Sequence, residues 1–66
     1  MEEIDIWRTA QLLFKQHGIR AAFFATQRAD ELLVSGDHIG CSIWIRISRA
    51  IGDLGRQKPR DDEAVN

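Results

Sequence analysis

The chain has 66 residues, a formal net charge of −1 and one cysteine. That length fits a single domain near the lower limit for independent folding, and a charge this close to zero excludes bulk attraction to nucleic acid or to an anionic membrane. One cysteine cannot close an internal disulfide, nothing resembles a Cys/His metal set, and no apolar run reaches the roughly 18 residues that span a bilayer.

The opening, Met1-Glu2-Glu3-Ile4-Asp5, is acidic and lacks the basic start and apolar core of a signal peptide, so the expected compartment is the cytoplasm. A first helix is predicted from about Asp5 to His17. Asp5 stands as its N-cap, and Gly18 follows Lys15 and His17, whose positive character suits a helix C-terminus. At about 100° per residue, Ile6, Trp7, Ala10, Leu13 and Phe14 share one face, while Leu12 falls among the polar residues opposite.

A second helix is predicted from about Arg20 to Val34, with Ala22, Ala25, Ala29, Leu32 and Leu33 facing inward. Three alanines on that face allow a neighbouring helix to approach closely. Phe23, Phe24 and Val34 lie off it. The start has no good cap, so Gly18 has to act as both stop and start.

Ser35-Gly36-Asp37 then ends one helix and begins another. Gly36 suits the left-handed conformation that closes a helix, and Asp37 caps the next by accepting an orphan backbone N–H. Gly40, Ile43, Trp44, Ile47, Ala50, Ile51 and Leu54 follow at 3- and 4-residue spacing, one side of a third helix from about His38 to Leu54. Ile39, Cys41, Ile43, Ile45 and Ile47 also alternate as a half-buried strand would. The helical stripe continues where the alternation fails, and the chain offers no second strand, so helix is the reading. Gly40 is expected to let a neighbouring helix come close.

The remainder, residues 55–66, contains Pro59 and six charged side chains without periodicity and reads as a disordered tail behind a single domain of residues 1–54. The expected fold is all-α: three short helices in a compact antiparallel or open bundle with a helix-turn-helix hairpin. Its core is expected to comprise Trp7, Leu13, Phe14, Leu32, Leu33, Ile43, Trp44, Ile47, Ile51 and Leu54.

Chemistry is sparse. His17 and His38 sit beside turns and read as solvated or capping groups, Asp37 is explained by its cap, and Cys41 reads as a small packing residue. No nucleophile elbow, phosphate loop or dinucleotide fingerprint is present. No catalytic residue, cofactor or metal is therefore expected, and the chain reads as a non-enzyme. Trp7 and Trp44 read as core.

Arg46, Arg49, Arg56 and Lys58 give residues 37–60 a local positive excess, which Asp61, Asp62 and Glu63 cancel. A nucleic-acid-associated accessory role for those four cations is the alternative reading; against it, the early turns of the third helix offer isoleucines where base-reading polar groups belong. The leading expectation is protein–protein contact, through a homo-oligomer or another protein, with Leu12, Phe23, Phe24 and Ile45 as candidate contact residues.

Trp7, His17-Gly18, Ala21 or Ala22, Arg28, Leu32, Gly36-Asp37, Gly40, Trp44, Ile47, Ile51 and Leu54 together resemble a group of short proteobacterial proteins with a Trp helix, a His-Gly break and Gly-Asp-x-x-Gly-x-x-x-Trp. The likeness covers roughly residues 5–54. It implies a small helical protein of bacterial source and supplies no catalytic residue. Ile19 and Arg20 depart from it, standing where such proteins often carry an acidic residue.

Overall fold

The computed structural model describes residues 2–57, of which all but a few are helical, with no strand among them. Helix α1 spans Glu3–His17, α2 spans Ala21–Val34 and α3 spans His38–Gln57. One turn of 3₁₀ helix, Gly18–Arg20, joins α1 directly to α2. The three separate helices expected from the sequence are therefore two continuous helical runs, the first broken at Gly18 and the second unbroken. The all-helical class stands, and the count is corrected.

The break has a local cause. Gly18 adopts φ 62° and ψ −135°, while its N–H still donates to the Phe14 carbonyl. A side chain at that φ/ψ is strained, so glycine turns the chain there without a loop. Glu3 and Asp5 lie at the positive end of α1, and Lys15 and His17 at its negative end. The N-cap is Glu2 rather than Asp5, and it makes no side-chain bond to the helix.

The hairpin between α2 and α3 closes in three residues. Gly36, at φ 88°, donates to the Leu33 carbonyl at 3.1 Å, and the Asp37 N–H donates to the Leu32 carbonyl at 2.8 Å. These two crossed bonds form a Schellman ending. Asp37 then caps α3, its Oδ1 accepting the Gly40 N–H at 2.8 Å. A single residue thus closes one helix with its amide and opens the next with its carboxylate. Gly40 owes its place to that cap. A Cβ there would lie 2.5 Å from Asp37 Oδ2, so the atoms nearest to it belong to the capping carboxylate rather than to a neighbouring helix.

Small residues set the packing. The buried set is Ile6, Ala10 and Leu13 on α1, Ala21, Ala25 and Ala29 on α2, and Cys41, Ile47, Ala50 and Ile51 on α3. Ala21, Ala25 and Ala29 recur every fourth residue, one ridge along which α3 lies close. Trp7, Phe14, Ala22, Ile43, Trp44 and Leu54 pack around this centre while staying partly exposed. Leu33, expected in the core, is 50% exposed, because the ridge centres on Ala21, Ala25 and Ala29 rather than on Ala22, Ala25 and Leu33. Leu32 is half-buried.

Across the α2–α3 seam the Thr26 and Ser48 hydroxyls meet at 3.1 Å. Thr26 donates its proton to the Ala22 carbonyl, so Ser48 donates to Thr26. Gly55, Arg56 and Gln57 belong to α3, which corrects a tail beginning at residue 55; residues 58–66 lie outside the described part. No helix among the described residues is long and apolar enough to cross a membrane.

Candidate functional site

The surface is where the described residues depart most from an ordinary small domain. Nine large apolar side chains are exposed: Ile4, Leu12, Ile19, Phe23, Phe24, Leu33, Val34, Ile39 and Ile45. Only four of comparable size are buried, namely Ile6, Leu13, Ile47 and Ile51. Five alanines and Cys41 make up the rest of the buried set, and Trp7, Phe14, Ile43, Trp44 and Leu54 pack against it only partly buried.

All four contact residues expected from the sequence are exposed, at 55% for Leu12, 71% for Phe23, 43% for Phe24 and 40% for Ile45. They are not equivalent. Phe24 has a home: its ring stacks on His17, with centroids 5.1 Å apart and planes 13° apart. It also meets Trp44 in an edge-to-face arrangement, with centroids 6.4 Å apart and planes at 64°. These contacts tie the end of α1 to α2 and α3, in geometries favoured by the ring quadrupoles. Phe24 is thus partly a packing residue. Phe23 lies one residue, about 100°, around α2 from it.

Sequence reasoning missed Ile4, Ile19, Leu33 and Ile39 as surface residues. Ile4, Ile19 and Ile39 lie at helix ends or beside turns, where periodicity carries little signal. Leu33 differs from the half-buried Leu32 by a single 100° step, and only the position of the alanine ridge decides between them.

A second feature is a groove of about 200 Å³ between α1 and α3. Ile6, Trp7 and Ala50 form its apolar wall, and Glu3, Arg46, Arg49 and Asp53 its polar rim. Arg46 donates to Glu3 Oε1, and Arg56 to Asp53 Oδ1. Two of the four cations considered for nucleic acid are thereby paired with carboxylates, Arg49 lines the same mixed-charge rim, and Lys58 lies outside the described residues. Arg28 pairs with Glu31 in the same way at 3.1 Å. Such exposed pairs contribute roughly 0–1 kcal/mol each.

Neither histidine lines the groove: His17 is stacked on Phe24, and His38 is exposed at the start of α3. Cys41 is a free, buried thiol. Among the described residues no three His, Cys, Asp or Glu side chains come close enough to hold a metal ion. Comparison of the chain with protein-family models, curated proteins and solved structures gives no match.

Proposed function

We propose that this chain is a small non-enzymatic interaction protein that works by associating with itself. The observation that carries this reading is the imbalance of nine exposed large apolar side chains against four buried ones. A domain of this size gains little from its own core, and covering such side chains with a second copy adds apolar burial without lengthening the chain. The paired arginines favour this reading over nucleic-acid binding, since a guanidinium already bonded to a carboxylate neutralises phosphate poorly.

Sedimentation of the purified protein across a dilution series tests the proposal. The expected result is a dimer or larger species whose mass falls on dilution. A monomer at every concentration overturns it. Binding to DNA or RNA that weakens steeply with added salt would move the assignment to the nucleic-acid reading.

A further inference from the structure

Resting on the self-association proposed above, we infer that Gly18 is a hinge and that two copies associate by exchanging α1. The bend between α1 and α2 is held by one residue. His17, Arg20 and Ala21 all have right-handed helical backbone angles, and Ile19 lies in the 3₁₀ turn between them. Among residues 17–21 Gly18 alone departs, at φ 62° and ψ −135°. Rotation of Gly18 into the helical region therefore joins Glu3 to Val34 in one helix, about 48 Å long at 1.5 Å per residue.

Straightening lifts Ile6, Ala10 and Leu13 off the cluster they share with Ile47, Ala50 and Ile51, and it parts Glu3 from Arg46. Those three side chains and the face of α3 beneath them are then left to water. The surface that fits the uncovered part of α3 is α1 itself, so α1 of a second copy restores the same contacts with the same residues. The exchange is reciprocal and closes as a dimer. The two chains cross at the hinge, where straightening also gathers exposed apolar residues. Leu12, Ile19 and Phe23 are 55%, 93% and 71% exposed. On one continuous helix they fall within about 40° of each other, whereas in the bent chain the break at Gly18 separates Leu12 from the other two. His17 latches the bent form. Its ring stacks on Phe24 with centroids 5.1 Å apart, but seven residues of continuous helix would set the two about 10 Å apart along the axis.

Cross-linking tests the exchange. Glu3→Cys and Arg46→Cys chains are refolded together at a concentration where the wild type is dimeric and treated with a short bismaleimide, each variant alone serving as the control for Cys41. The expected product joins the two different chains. A dimer without that product overturns the exchange and leaves self-association standing, and a wild type that is monomeric at every concentration overturns both. Sedimentation tests the hinge. Gly18→Ala strains the bent backbone and favours the straight helix in both chains, so it is expected to tighten the dimer by roughly a hundredfold. D-alanine in place of Gly18, in a synthetic chain, accepts the positive φ of the bend and is expected to weaken the dimer by about tenfold. His17→Ala removes a contact made only in the bent form and is expected to tighten the dimer by about fivefold. Circular dichroism reports whether each variant folds. A Gly18→Ala dimer no tighter than the wild type, with helicity kept or lost, overturns the hinge, as does a D-alanine variant that dimerises as well as the wild type.

Discussion

Two glycines and one aspartate determine where this chain bends. Gly18 and Gly36 occupy positive φ, and nothing crowds either one, so the cost of replacing them is purely conformational. Gly18→Ala is expected to lower unfolding free energy by about 1–2 kcal/mol in urea titration, since a Cβ strains that backbone whatever space surrounds it. Asp37→Ala removes the acceptor for the Gly40 N–H and is expected to cost about 1 kcal/mol, with Asp37→Asn retaining most of the cap. The buried Cys41 is expected to react slowly with a thiol reagent in the folded protein and rapidly in denaturant. A fast reaction under native conditions would mean that the N-terminal turn of α3 opens readily.

At the scale of the helices, α2 and α3 are built on opposite principles. α2 buries alanines and leaves its larger residues in solvent, whereas α3 buries larger residues on a broad face that serves both α1 and α2. Ala25, fully buried in the core cluster, has no room to grow. Ala25→Leu is expected to cost about 1–3 kcal/mol through overpacking, although leucine is itself a good helix former. The end of α3 gives the converse result. Gly55 is helical with open space around its Cβ direction, so Gly55→Ala is expected to raise stability by roughly 0.5–1 kcal/mol. No change would place the end of the helix before residue 55.

For the whole molecule, the small core makes each large buried side chain count heavily. Ile47 is the fully buried side chain of α3, in a cluster reaching Ile6 on α1 and Ala25 on α2. Ile47→Ala is expected to cost about 2–5 kcal/mol, a large part of the stability of a domain this size, and thermal melting should show it as a broadened or lost transition. Because association covers part of the same apolar surface, the melting temperature of the wild type is expected to rise with protein concentration.

The sequence by itself determined the helical class, the hairpin at Ser35-Gly36-Asp37 and the stripe on α3, because these rest on local chemistry: backbone freedom at glycine, the carboxylate cap, and apolar spacing. It also marked Phe23 as displaced from the inner face of its helix. Tertiary structure decided the rest. Leu32 and Leu33 have the same composition and neighbouring phases, so only the axis along which α3 meets the alanine ridge makes one half-buried and the other exposed. Phe24 lay off the inner face by periodicity alone, yet His17, across the break at Gly18, and Trp44 on α3 both pack against it. The run from Glu3 to Val34 contains a break but no loop, since a glycine at positive φ redirects a helix without ending its hydrogen bonding. Periodicity tells which residues share a face; which part of that face another helix covers depends on how closely the two axes approach, and here the alanines set that distance.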